Sequence, residues 1–207
     1  MTTSRTYFNE TWLSESPQRI PKKKYFEILL FALRDFIAMG KKPIDIGNNI
    51  KKLEMEQVLI YWYESNGIIQ LILELDKKPQ GLMVNLLGKD ETLKGVPPFA
   101  SDLYNAVLKD RKTNIRITSD NLLTDEGYNI WKRLYNQGHT ISVYNSDNPG
   151  QSFVTLFNIN DFDEYFGDEE SYKKYQFVLV ENSFLVETRC YFNTRKIRES
   201  FGYNLED

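Results

Sequence analysis

The sequence predicts an α+β fold built on a mixed, mostly antiparallel central sheet flanked by helices. Three observations carry this. Residues 23–39 place Phe26, Leu29, Leu30, Leu33, Phe36 and Ile37 at i, i+3, i+4, i+7, i+10 and i+11, one apolar face of a helix ended by Gly40 and Pro43. Residues 58–64 and 68–76 are rich in Ile, Leu, Tyr and Trp. They are joined by Ser65-Asn66-Gly67, in which Asn-Gly supplies the two positive-φ residues of a tight hairpin turn. From residue 99 onward, helical and β-rich runs alternate.

The remaining elements follow in order. A third strand, 80–88, comes after the Lys77-Lys78-Pro79 turn and extends the hairpin to a meander. A loop over 90–98 leads to a helix over 99–108 and a short strand over 114–118. Thr124 is placed as an N-cap, with Asp125 and Glu126 in the first turn of a helix that runs to Gln137 and is ended by Gly138. Strands are expected at 140–144 and 152–157, separated by turn residues 145–150. Residues 161–166 read as a short helix and 167–174 as a charged loop. A hairpin, 175–180 and 184–191, turns at Glu181-Asn182-Ser183, and a basic helix spans 194–201. The organisation expected is an N-terminal arm (1–22) holding Tyr7, Phe8, Trp12 and Leu13 among polar residues, a core (23–157), and a C-terminal extension packed on it (158–207).

Composition narrows the classes of function. With 207 residues, 41% hydrophobic and 27% charged, the chain can bury a core without metal or disulfide staples. Cys190 is the single cysteine and His139 the single histidine, too few soft ligands for a transition-metal site, so no metal is expected. A net charge of −3 gives no global positive field, and nucleic acid is not an expected partner. No apolar run is long enough to span a bilayer and the polar start lacks a signal-peptide core, so no membrane association is expected and the location expected is cytoplasmic.

The segment GKDETLKGVPPFASDLYNAVL, together with the order helix, three antiparallel strands, loop and helix, strand, helix, strand, strand, resembles the GNAT family of N-acetyltransferases. The whole pattern looks like the GNAT-like proteins encoded by tailed bacteriophages, which would place the chain in a host cytoplasm or a virion. In that family the fourth strand ends at a splay, and an Arg/Gln-x-x-Gly-x-Gly/Ala loop leads into a helix whose N-terminal amides hold the pyrophosphate of acetyl-CoA. Here Gly95 fits the first glycine, Thr92 stands where Arg or Gln is expected, and Pro97 stands at the second small residue. Pro97 and Pro98 carry no N–H, so the motif is degenerate. The resemblance implies acetyl-CoA as cofactor, held by Leu86, Leu87, Lys94, Gly95, Val96, Phe99, Ala100 and Ser101.

The same resemblance covers 114–144, where the family's helix carries a tyrosine acid about four residues before a Gly-Phe pair. The pair here is Gly138-His139 and the residue four back is Leu134, with Tyr135 beside it. Either the register shifts by one or the acid is absent, and Tyr128, Trp131 and Leu134 also read as a core stripe. As base, an amine acetyltransferase needs a carboxylate near the ammonium it deprotonates. Asp120 is the first candidate, with Ser119 beside it, and Glu74 on the hairpin is the second; Glu64 and Asp76 lie nearby in sequence. Ser119 and Asp120 alternatively only shape a loop. His139 reads as a helix-end residue and Cys190 as buried volume. Asp161, Asp163, Glu164, Asp168, Glu169 and Glu170 read as a solvated face. Arg189, Arg195, Lys196 and Arg198, with Tyr191, Phe192 and Phe201, read as a surface for an acidic partner or, less simply, single-stranded nucleic acid.

Two functions stay open at this level. One is an acyl-CoA-dependent N-acyltransferase with a degenerate pyrophosphate loop. The other is a catalytically inactive GNAT-like scaffold that binds protein partners, as a phage virion or host-interaction protein, through 1–22 and 158–207.

Overall fold

The computed structural model describes residues 23–111, 115–120, 123–148, 153–167 and 172–180. The arm 1–22, the strand expected at 184–191, the basic helix 194–201 and Cys190 lie outside the described residues. The elements are α1 (Lys23–Ala38), β1 (Ile44–Gly47), β2 (Ile50–Glu54), β3 (Val58–Ser65), β4 (Ile68–Lys78), β5 (Gly81–Lys89), α2 (Ala100–Arg111), β6 (Arg116–Thr118), α3 (Asp125–Asn136), β7 (Thr140–Asn145), β8 (Val154–Thr155) and β9 (Tyr175–Val180). Short 3-10 turns span Glu91–Leu93 and Ile159–Glu164.

The sheet has nine described strands in the order β1-β2-β3-β4-β5-β6-β9-β7-β8. β5 and β6 run parallel, in register at Leu82↔Ile117 and Met83↔Thr118. The pairs β1–β2, β2–β3, β6–β9, β7–β9 and β7–β8 are antiparallel. This is the mixed, mostly antiparallel sheet with flanking helices that the sequence predicts. Among the described residues no helix is long and apolar enough to cross a membrane.

Two strands precede the expected meander. β1 and β2 form a hairpin at Asn48-Asn49, with φ of 54° and 61°, the pair of left-handed residues a tight turn requires and that asparagine tolerates. The later hairpin turns at Asn66-Gly67 with φ of 53° and 76°, as its sequence demands. At the other end, Tyr175–Val180 is a strand as expected, but it is inserted between β6 and β7. Its neighbours therefore come from residues 116–118 and 140–145. The strand expected over 152–157 shortens to Val154–Thr155.

The chain divides into two compact units. Among the described residues the first comprises 23–75 and 85–103. Its core joins Leu29 and Leu33 of α1 to Leu53, Ile60, Trp62 and Ile72 of the strands, with Leu86 packed against them. The face of α1 inferred from periodicity is the buried one at Leu29 and Leu33, whereas Ile37 is 38% exposed at the helix end. Gly40 closes α1 with φ of 83°, and Lys41 N–H reaches back to the Phe36 carbonyl at 3.1 Å.

The second unit comprises residues 76–84 and the described residues from 104 to 180. Its centre is aromatic: Trp131 lies edge-on to Tyr104 at 5.8 Å and stacks with Phe177 at 6.1 Å, which stacks in turn with Phe162 at 5.3 Å. Tyr128, Trp131 and Leu134 are all buried, so the stripe on α3 is core. Thr124 caps α3 by accepting from Gly127 N–H at 3.2 Å.

Candidate functional site

In the first unit, the loop after β5 begins with Asp90, whose carboxylate accepts from the backbone N–H of Thr92 at 2.9 Å and from its hydroxyl at 2.7 Å. That turn sends the Lys94 N–H to Glu91 at 3.2 Å and the Val96 N–H to Leu93 at 3.3 Å, both inward onto the loop's own carbonyls. Gly95 takes φ of 82°, a conformation suited to glycine, and a Cβ there would meet nothing within 4 Å. Lys94, Gly95 and Val96 are exposed, whereas Ser101 is 1% exposed. Alternation along β5 puts Leu86 and Gly88 on the face covered by α1 and Leu87 on the other, where it is half-buried.

Two groups that the sequence reading missed dominate this loop. Lys89 donates its ammonium to the carbonyls of Val96 and Pro98, the latter at 2.7 Å, and lies 5.5 Å from the centre of the Phe99 ring. Asp102 accepts the backbone N–H of Phe99 at 2.7 Å, so a carboxylate from the third residue of α2 occupies the helix's own N-terminus. The signal was legible: an acid three residues after the cap position is half of a capping box.

The fit to acetyl-CoA can be judged from these contacts. A pyrophosphate needs free N–H donors and positive charge, yet the Phe99 donor is spent, Pro97 and Pro98 offer none, and Lys89 is held on two carbonyls. The Asp102 charge would also repel the phosphates. Of the donors the resemblance assigns to the pyrophosphate, the Phe99 N–H and the two prolines are thus lost to it.

Glu74, also in the first unit, accepts from the side-chain amide of Asn85 across β4 and β5. Glu64 is tied to Lys51 at 2.9 Å and to the Trp62 indole N–H at 3.0 Å, which together hold its carboxyl below the usual range. In the second unit, Ser119 is buried and exchanges bonds with Phe177: its N–H donates to the Phe177 carbonyl at 2.8 Å, and its Oγ accepts the Phe177 N–H at 3.0 Å. The Ser119 hydroxyl donates to the Asp120 carbonyl at 3.0 Å. Ser119 thus prolongs the β6–β9 ladder and fixes the backbone of Asp120, whose side chain is half-buried. Burial, with the nearby charge of Asp120 second, pushes the Tyr104 phenol well up, so this tyrosine stays protonated.

The Tyr135 hydroxyl donates to the Phe157 carbonyl at 2.6 Å, and its ring packs edge-on to Phe162 at 5.5 Å. Asp161 and Asp163 hold local structure. Asp161 accepts the N–H groups of Phe157 at 3.0 Å and Asn158 at 2.9 Å, completing a capping box with Asn158. Asp163 binds the Tyr128 hydroxyl and, at 2.7 Å, Lys132, joining α3 to the turn that follows β8. Burial first, then that bond, pushes the Tyr128 phenol up to about 12. Among the described residues no group of acids, cysteines and histidines could hold a metal ion.

His139 follows Gly138, which has φ of 91°, and its own N–H bonds the Leu134 carbonyl at 3.2 Å, closing α3. Burial lowers its pKa from the usual 6.5. Below that value the unfolded chain takes up a proton that the folded chain resists, so stability is full above pH 6.5 and falls as the pH drops toward the lowered value. As this is the only histidine, the decline in denaturation midpoint on acidification just below neutrality should flatten in His139→Asn. An equal slope in both proteins would remove His139 as its source.

The sequence matches no protein-family model and no curated protein. Among solved structures it is similar to a presumptive GNAT-family acetyltransferase from Bacteroides thetaiotaomicron, at 12% identity and a TM-score of 0.35, over 99% of this chain and 97% of that one. At that score the likeness carries no weight, and function has to be argued from the chain's own contacts.

Proposed function

We propose that the chain is a GNAT-like scaffold whose cofactor loop is closed by its own side chains, and that it works as a protein-binding module rather than as an acyltransferase. The observation that carries this is the Asp102 carboxylate on the Phe99 amide, the place where the family resemblance would put a phosphate. The parallel β5–β6 pair, within a sheet otherwise antiparallel wherever register is defined, supports the GNAT-like part of the reading. Partner contact falls to 1–22 and to the part of 158–207 beyond Val180. Within 158–180, Phe162, Phe177 and Leu179 are buried and belong to the core. The aromatic set Tyr7, Phe8, Trp12 and Leu13 is the apolar anchor such contact needs.

Thermal-shift titration with CoA and acetyl-CoA tests the reading, because a ligand of the native state alone must raise the melting temperature. No saturable rise is expected at millimolar cofactor. Asp102→Ala should lower stability by about 1 kcal/mol through loss of the cap, while bringing a CoA-dependent rise that the parent lacks. A saturable rise in the unsubstituted protein would overturn the proposal and reinstate an acyltransferase, with Asp120, Glu74 and Tyr135 as the side chains to substitute next.

A further inference from the structure

A second concave site lies wholly within the second unit and owes nothing to the loop after β5. Ile117, Phe177 and Leu179 point into the aromatic core and are at most 1% exposed. Strand alternation therefore sends Arg116, Thr118 and Val178 to the opposite face. There they line a cavity of about 180 Å³ with Lys78, Tyr144 and Phe153. Gly81 sets how closely β5 and β6 approach at its base: with φ of 139°, it lies where a Cβ would come within 2.6 Å of the Arg116 carbonyl oxygen.

The charges in this cavity are unequal. Lys78 is paired with Asp76 at 2.9 Å. Arg116 has no carboxylate partner among the described residues, and its guanidinium lies 4.7 Å from the centre of the Phe153 ring. A guanidinium beside an aromatic ring and without a carboxylate partner has N–H groups to offer a planar anion, which it grips with two parallel bonds. Tyr144, 5.4 Å from Phe153 between ring centres, and Val178 supply apolar walls, and the Thr118 hydroxyl can donate one further bond. A cavity of about 180 Å³ suits a small occupant. We propose that this cavity binds a small flat carboxylate, an aromatic acid of benzoate size, with the carboxylate on Arg116 and the ring between Tyr144, Phe153 and Val178.

Calorimetric titration with benzoate, benzamide and inorganic phosphate, with NMR to locate the site, tests this. Benzoate should bind saturably at millimolar concentration, at least tenfold tighter than either of the other two, and should shift the resonances of Thr118 and Val178. Arg116→Met should weaken it tenfold or more, and Arg116→Lys, which keeps charge but loses the fork, should also weaken it. Arg116 is exposed, so both variants should fold; were either to fail, Phe153→Leu, which removes the flat support, should weaken benzoate without touching the charge. No saturation, benzamide or phosphate binding as well as benzoate, full affinity in the variants that fold, or shifts confined to other residues would each overturn the proposal.

Discussion

Trp131→Ala is expected to cost about 3–5 kcal/mol of stability, the range found when large aromatic side chains are removed from a packed core. Trp131 is 1% exposed and touches three layers at once. It meets Tyr104 of α2 edge-on, stacks on Phe177 of β9, and springs from α3. Phe177 in turn stacks on Phe162, so the ring that leaves is one link of a continuous aromatic column. Backbone elements on three sides cannot collapse together to fill the space, which puts the cost toward the upper end. Domains have only about 5–15 kcal/mol in hand, so the variant should lose most of its cooperative unfolding transition. Urea denaturation followed by tryptophan and tyrosine fluorescence measures it. A loss under about 1 kcal/mol would mean that the column is not packed as described.

The second large effect is expected at Gly88, where β5 passes under α1. A Cβ built there would lie 2.6 Å from the Cα of Phe26 and 2.7 Å from its N. Both are backbone atoms, so no rotamer change relieves the clash and the helix itself must lift off Leu86 and the core beneath it. Gly88→Ala should cost about 1–3 kcal/mol, with α1 losing hydrogen-exchange protection before the rest of the first unit. Gly67→Ala is the control: nothing lies within 4 Å of its Cβ, and only the positive φ of 76° opposes alanine. It should cost about 1 kcal/mol and leave α1 protected. Equal melting temperatures for Gly88→Ala and the parent would show that α1 does not approach β5 so closely.

The same contrast between local and distant causes separates what could be read in the chain from what could not. Helices and turns announced themselves because their determinants sit within about one or two turns of chain. Examples are the apolar period of α1, Asn66-Gly67 with both residues at positive φ, the Thr124 cap and the Gly138 stop. The β1–β2 hairpin carried a comparable mark in Asn48-Asn49, and it went unread because asparagine at both central positions is a weaker turn signal than Asn-Gly. The half capping box from Asp102 to Phe99 was equally local, and it takes up the first backbone donor of α2.

Long-range placement was another matter. Ladder hydrogen bonds join backbone to backbone, so nothing in the side chains of 175–180 says that this strand enters between β6 and β7 rather than beside its sequence neighbour. Bonds between Ser119 and Phe177 make that choice. The hydrogen-bond partners of Tyr135 and Asp163 were hidden for the same reason, since Phe157 and Tyr128 lie 22 and 35 residues away. The carboxylate cavity is the extreme case, drawing Lys78, Arg116, Tyr144 and Val178 from four strands. The sequence by itself thus determined the helices α1, α2 and α3, the strands of the Asn66-Gly67 hairpin and their apolar faces, because period, cap and turn are short-range properties. Only the tertiary structure decided strand order, which acids are tied up and which cation is left facing a cavity, because those depend on which distant backbone each strand finds to pair with.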